Sequence, residues 1–207
     1  SDPASLTPGR SQNQKERIDL NLKLSYKNLE VKSKYMNRER EGYIGIDDAL
    51  SDETNWYDTY AFVEFNYALK LSDKLNIAPK VYYDYYNSDA WIESSPEGYL
   101  SGAYPDGIKA VTRYKEQTIG VETQFNYNVF KGNELTFGLQ YEWIHQGDIH
   151  YGANIHPITN AALSSFTDFT HDLPFTRGVT RHIYAFYLQD EWNITKDIDL
   201  TAGIRHD

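Results

Sequence analysis

A chain of 207 residues with a formal net charge of -10 is long enough for one ordinary domain, and it lacks the basic surface that a nucleic-acid partner requires. It has no cysteine, which excludes a disulfide framework and a thiolate metal site, and no apolar run approaches the roughly 20 residues of a membrane helix. The mean hydropathy of -0.66 does not exclude membrane strands, which offer only every second residue to lipid, and eighteen tyrosines with four tryptophans favour strands and bilayer interfaces.

Residues 1–15 are polar, carry Pro3, Pro8 and Gly9, and read as the end of a loop with no signal peptide. From Ile18 the apolar set Ile18, Leu20, Leu22, Leu24, Tyr26 alternates with Asp19, Asn21, Lys23 and Ser25, the period of a strand with one apolar face. Lys27-Asn28 turns it, and Leu29, Val31, Ser33 and Tyr35 carry a weaker return strand. Arg38 to Asn55 reads as a charged loop. Thr59, Ala61, Val63, Phe65, Tyr67 and Leu69 form a third alternation, turned by Ser72-Asp73-Lys74 into a fourth at Leu75, Ile77, Pro79, Val81, Tyr83 and Tyr85. Pro79 removes a ladder donor and would sit best at a bulge.

Asn87 to Arg113 reads as a second long loop. Ile119, Val121, Phe125, Tyr127 and Val129 then face one way, against Gly120, Glu122, Gln124 and Asn126. Lys131-Gly132-Asn133 turns the chain into Leu135, Phe137, Leu139, Tyr141 and Trp143. His145 to Val179 reads as the third and longest loop. The last pair alternates at Tyr184, Phe186, Leu188, Trp192 and again at Ile198, Leu200, Ala202, Ile204, around the polar turn Asn193–Asp197.

The pattern predicts an all-β, antiparallel up-and-down transmembrane barrel segment of about eight strands, with short periplasmic turns and long extracellular loops. Height supports it independently. Tyr26, Tyr67, Tyr127 and Trp192 fall low on the apolar parity, and Tyr35, Tyr83, Tyr85, Tyr141 and Trp143 fall high on it, as two headgroup-level belts require. Asp190 is the exception, a carboxylate on the apolar parity that calls for a bulge or a place at headgroup level.

The closing hairpin, IYAFYLQDEWNITKDIDLTAGIRHD over Ile183–Asp207, resembles the mid-barrel hairpin of TonB-dependent outer-membrane receptors. Members of that family often carry an aromatic–Leu/Val–Gln-Asp-Glu/Arg-Trp strand, a polar turn, and a second strand ending Gly-Ile/Leu-Arg-Tyr-Asp. Tyr187–Trp192 and Gly203–Asp207 match, with His206 where Tyr is usual. The resemblance implies a bacterial outer-membrane barrel of about 22 strands with an N-terminal plug. It implies active uptake of a scarce, bulky nutrient such as a ferric siderophore, haem or cobalamin, driven by the TonB inner-membrane complex through the plug. Both ends of the sequence fall on the long-loop side, so an internal slice, 1–207, of a larger barrel is expected, without plug and remaining strands. A passive porin or adhesin barrel, or a soluble β-rich glycan-binding module, are the alternatives, and no enzymatic activity or cofactor is expected.

Candidate ligand contacts lie in the long loops, because loops of more than about 15 residues without internal structure are commonly functional. Trp91, Tyr99 and Tyr104 could stack on a planar ligand. His145, His150 and His156, with Tyr151, His171 and Phe166, suggest a haem or metal-chelate site, although no histidine pair has a helical ligand spacing. Asp47, Asp48, Asp52 and Glu53 are oxygen ligands of the type that suits Ca²⁺, without an EF-hand pattern. The polar parity, including Glu64, Lys80, Glu122 and Gln140, is expected to line a wet lumen, with no carboxylate pair singled out for acid–base catalysis.

Overall fold

The computed structural model describes residues 6, 9–42 and 50–207. Among the described residues ten strands make one sheet: β1 (Lys15–Tyr26), β2 (Leu29–Glu41), β3 (Asn55–Tyr67), β4 (Leu69–Lys70), β5 (Leu75–Ser95), β6 (Ile108–Phe130), β7 (Asn133–Ile155), β8 (Ala162–Asp168), β9 (Val179–Thr195) and β10 (Ile198–His206). The path is β1-β2-β3-β5-β6-β7-β9-β10, with every neighbouring pair antiparallel, β4 on β5 and β8 on β7. A single helical turn, Tyr99–Gly102, interrupts the connection after β5. The short turns therefore lie along one margin and the long connections along the other, as the alternation requires.

The faces are sorted as expected. Leu22, Phe65, Val81, Val121, Leu139, Phe186 and Leu200 are all exposed on one face, which we call the outer face. Leu139 is 63% exposed and Ile204 64%, whereas the buried apolar residues among those described are Ala90, Ala153, Phe169 and Ala185. Side chains that would fill the core of a soluble sandwich here form an uncovered band. A contiguous apolar face of this extent suits hydrocarbon, where an up-and-down sheet keeps its backbone groups paired. Pairing registers also set the belts. Val63, Tyr83, Ile119, Trp143 and His182 lie in one row across five strands, and Leu29, Tyr67 and Tyr26 meet at the opposite margin.

Both irregularities in the pattern are resolved by neighbours. Pro79 stays in register with Thr123 of β6, and the irregularity is in the strand on its other side, where β3 gives way to β4 at Ala68. The Ala68 amide bonds to Asn28 O instead, at 2.8 Å. Asp190 keeps its place on the outer face, level with Leu135 near the short-turn margin, and accepts a hydrogen bond from Asn133 Nδ2. The register shift in this hairpin comes lower, at Ile198/Asp199. Headgroup level, not a bulge, accommodates the carboxylate.

Strands are longer than the alternation predicts. The loop expected at Arg38–Asn55 yields to β2 as far as Glu41. That expected at Asn87–Arg113 shrinks to residues 96–107, because β5 runs to Ser95 and β6 starts at Ile108. That expected at His145–Val179 contains the end of β7 and all of β8. Above the upper belt neither face meets hydrocarbon, so nothing enforces the period of two that marks a strand.

Candidate functional site

The inner face is a hydrogen-bonded wall of tyrosines, carboxylates and amides. Tyr82 of β5 crosses Gly120 of β6 and donates to Glu142 of β7, while Gln140 Nε2 donates to Tyr82 Oη and Glu142 Oε1, both at 2.9 Å. Tyr187 of β9 reaches the other way, across Gly138 of β7, to Glu122 Oε1 at 2.9 Å and Gln124 Oε1 at 3.2 Å on β6. Each crossing needs its glycine: a Cβ on Gly120 would fall inside the Tyr82 ring, and one on Gly138 inside that of Tyr187. Lys80 pairs with Glu122 at 2.5 Å, and Arg205 Nη2 donates to Gln140 Oε1 at 2.9 Å. Two opposed tyrosine straps thus tie β5, β6, β7 and β9 at mid-wall.

Above them the wall turns aromatic. Tyr86, Tyr114, Glu116, Gln146, Phe175 and Thr176 line a cavity of about 450 Å³ at the top of the inner face. Tyr86 and Tyr114 meet edge-on at 5.8 Å, and Phe175 lies 6.3 Å from Tyr114 and 5.9 Å from Tyr151. Phe175 belongs to the 169–178 connection, which Gln146 holds down by donating to Thr176 Oγ1 at 3.1 Å and Arg177 O at 3.3 Å. The Tyr86 hydroxyl is fixed from behind: it donates to Asp58 at 3.0 Å, and Ser88 (2.9 Å) and Arg38 (2.7 Å) satisfy the same buried carboxylate. Polar groups at the mouth are Glu116 and Arg181, 3.9 Å apart. Aromatic walls with a few placed polar groups are the usual make-up of a small-molecule pocket.

Of the candidates named from sequence, Tyr151 lies against this pocket, packed on Phe175 and Phe169. Trp91 points outward, stacked on Phe166 at 5.6 Å and 12°. Tyr99 and Tyr104 stack on each other at 5.7 Å, and Tyr104 Oη donates to Asn160 O at 2.7 Å. Asn154 adds bonds to Lys109 N and Gly107 O, at 2.7 and 2.8 Å, so the second and third connections pack as one unit. His145 stacks on Trp143 and bonds Thr180; His150 meets Thr170 at 3.1 Å and lies 4.0 Å from Asp168; His156 accepts the Ile158 and Thr159 amides in its own turn. These histidines do not converge, and among the described residues no group of three or more His, Asp or Glu is placed to hold a metal. Asp47 and Asp48 lie outside the described residues, and Glu53 is engaged by Lys109 at 2.7 Å.

Sequence reading missed Tyr86, Tyr114 and Phe175. Tyr86 sits on the inner parity of a recognised strand and could have been found there; Tyr114 and Phe175 fall where alternation had lapsed.

Set against known proteins, residues 3–207 match the family model described as TonB dependent receptor-like, beta-barrel. Three solved structures share the fold. The ferric yersiniabactin uptake receptor FyuA from Yersinia pestis is 8% identical with a TM-score of 0.59, over 91% of this chain and 27% of that one. BauA, the ferric preacinetobactin receptor from Acinetobacter baumannii, is 13% identical with a TM-score of 0.53, over 93% of this chain and 33% of that one. The RagAB peptide transporter is 12% identical with a TM-score of 0.53, over 93% of this chain and 28% of the matched chain. The chain thus spans a third or less of the solved chains it matches. No curated protein matches its sequence.

Proposed function

Because this chain belongs to the TonB-dependent receptor-like β-barrel family, one of bacterial outer-membrane receptors, we propose that it is a wall segment of an active nutrient transporter. In this reading residues 1–207 are part of a longer barrel that encloses a plug, and the plug engages the TonB inner-membrane complex. The observation that carries the proposal is the aromatic pocket of Tyr86, Tyr114, Phe175 and Tyr151, set on the inner face above the upper belt. A ligand captured there from outside would already be inside the wall and above a polar, hydrogen-bonded lumen. The pocket suits a bulky nutrient carrying a ring, a description that covers ferric siderophores of the kind named for FyuA and BauA as well as haem and cobalamin. Haem held by an axial histidine is disfavoured, since His145 and His150 lie on the outer side and His156 is occupied in its turn.

Transport, not catalysis, is what the wall supports: its carboxylates are tied to tyrosines, lysines and amides across strands. The test is ligand binding and uptake by the full-length protein with the 169–178 connection replaced by a short Gly-Ser link. High-affinity uptake should be lost while the barrel still assembles. Unchanged affinity would place the site elsewhere and sink the assignment.

A further inference from the structure

Above the upper belt, β1 and β2 sort their charges by sign. Lys15, Arg17, Arg38 and Arg40 hold inner-face positions, whereas Glu16, Glu39 and Glu41 hold outer-face positions on the same two strands. Register makes the cations neighbours: Lys15 lies opposite Arg40, and Arg17 opposite Arg38. Like charges directly opposite in a sheet are destabilising, and carboxylates that point to the far face do not relieve them. Among the described residues these four cations form ion pairs with only two carboxylates. Asp19 pairs with Arg17 and also lies 3.6 Å from Lys34, while Asp58 accepts from Arg38 at 2.7 Å, with Arg40 Nε 4.0 Å away.

The two arginines are also left with unmet bonding capacity. Nε of each is buried without a hydrogen-bond partner, and the Arg40 guanidinium lies over the Trp56 ring at 4.8 Å. Like-charge neighbours and unpaired buried donors are costs that proteins carry at functional sites. A guanidinium held over an aromatic ring can still offer its terminal N–H groups to a carboxylate. Asp58 is already bonded by Tyr86, Ser88 and Arg38. Tyr86 in turn lines the aromatic pocket, so one carboxylate links the basic block to the pocket wall. The strand rows agree. Arg40, Trp56, Ala90, Thr112 and Tyr151 follow one another across five strands, and Arg38, Asp58, Ser88 and Tyr114 across four. In these rows only Ser88, Ala90 and Thr112, all small, stand between β3 and the aromatic cluster. Arg38 and Tyr114 are three strand spacings apart, roughly 14 Å between backbones.

We infer that the ligand of the inner pocket is an anion. Arg40, with Arg38 beside it, holds its carboxylate-type group, while its ring lies against Tyr86, Tyr114 and Phe175. The inference rests on the pocket reading and adds to it the charge class of the nutrient. A chain with a net charge of -10 repels an anion at long range, and the four cations reverse that field locally on the entry side of the lumen.

The test is titration calorimetry of the full-length protein with biphenylcarboxylate and, separately, with its neutral isostere biphenylcarboxamide. The carboxylate should bind about tenfold more tightly, the order of one charge-assisted hydrogen bond. Arg40→Gln should bring the carboxylate down to the level of the carboxamide. Arg40→Lys, which keeps the charge without the planar fork, should fall between. Lys32→Gln, lower on the inner face of β2 and already engaged by Glu30 and Glu64, should leave the preference intact. Phe175→Ala should weaken both probes alike, since it removes only ring contact. Equal binding of the two probes by the wild type would overturn the inference and leave the pocket standing. A preference that survives Arg40→Gln, or one that Lys32→Gln lowers as much, would also overturn it. Binding of neither probe would sink the pocket reading, and this inference with it.

Discussion

The lower and upper halves of the same strands obey different rules. On β6, the stretch from Ile119 to Tyr127 alternates apolar and polar side chains except at Thr123, and its outer-face Ile119, Val121, Phe125 and Tyr127 answer apolar or aromatic residues on β5 and β7. The stretch from Ile108 to Tyr114 is paired as well, with register shifts at Glu93/Ser95 and Arg113/Lys115, yet its outer face carries Lys109, Val111 and Arg113 and its inner face Tyr114 of the aromatic cluster. Strand pairing runs through both halves, with register shifts in the upper one, while the solvent against the outer face changes. The difference teaches that hydrocarbon, not strand formation, writes the period of two into this sequence.

A charge placed on each half breaks or confirms that contrast most directly. Val121→Arg at mid-band should cost about 2–4 kcal/mol, as for an arginine at a bilayer midplane. Val111→Arg, on the outer face of the same strand above the belt, should stay within about 0.5 kcal/mol, as for an ordinary surface change. A membrane folding titration of the full-length protein measures both, and equal costs would contradict the placement of the belts.

The inner face offers the next largest effect. Gly120→Val forces the Tyr82 ring off the wall and breaks its bond to Glu142, an overpacking that should cost about 1–3 kcal/mol. Tyr82→Ala in the same background removes the clash, so the double variant should be less destabilised than the sum of the singles. Gly203→Ala is the milder control, since its Cβ would lie 3.3 Å from Leu188 O. Strict additivity at Gly120 and Tyr82 would mean that the strap is not formed in the folded barrel.

Legibility follows the same division. Eight alternating segments, the order of the strands and both belts could be read from residues such as Leu20, Val81, Val121 and Leu200, because one-sided burial in lipid leaves a repeating mark. The hairpin Ile183–Asp207 added the family, since Tyr187–Trp192 and Gly203–Asp207 carry its wording. What could not be read were the ends of β5, β6 and β7 and the whole of β8, where water bathes both faces. The pocket was lost for the same reason: Tyr114 and Phe175 have no periodic context, and the inward fold of the 169–178 connection depends on tertiary bonds from Gln146. Gly120 and Gly138 were visible only as polar-parity positions; their role depends on tyrosines about 40 to 50 residues away.

Within the upper half, single pocket residues should each have modest effects. Phe175→Ala or Tyr114→Ala removes one stacking partner, worth about 0.5–1.5 kcal/mol beyond buried area, and should weaken ligand binding by a few-fold to about tenfold. Trp91→Ala should do less, because Trp91 stacks on Phe166 on the outer side. Binding to the full-length protein by titration calorimetry measures all three. A larger loss at Trp91 than at Phe175 would move the ligand to the outer surface of the connections.

The smallest effect concerns a buried carboxylate that lies well above the bilayer. Glu93 is 2% exposed, its Oε2 has no hydrogen-bond partner, and Lys109 approaches its other oxygen only to 3.6 Å. Burial pushes its pKa above the ordinary glutamate value, and the charge of nearby Glu53 pushes the same way. A carboxyl whose folded pKa is raised holds its proton to higher pH in the folded state than in the unfolded state. Between those two values the unfolded chain binds fewer protons, so stability falls as pH rises through the window, starting from the ordinary glutamate range. The structure around Ser51, Thr54 and Glu93 should therefore tighten on mild acidification, opposite to the response of Asp168, whose carboxylate Thr170 holds below its usual range. Glu93→Gln should slow exchange of the Glu93 amide, which donates to Thr54 Oγ1 at 3.0 Å, and should flatten its response to pH. Hydrogen exchange of the full-length protein at a series of pH values above the ordinary glutamate range reads this directly. If the wild-type amide exchanges with no pH dependence beyond the intrinsic one, Lys109 neutralises Glu93 more completely than its distance implies.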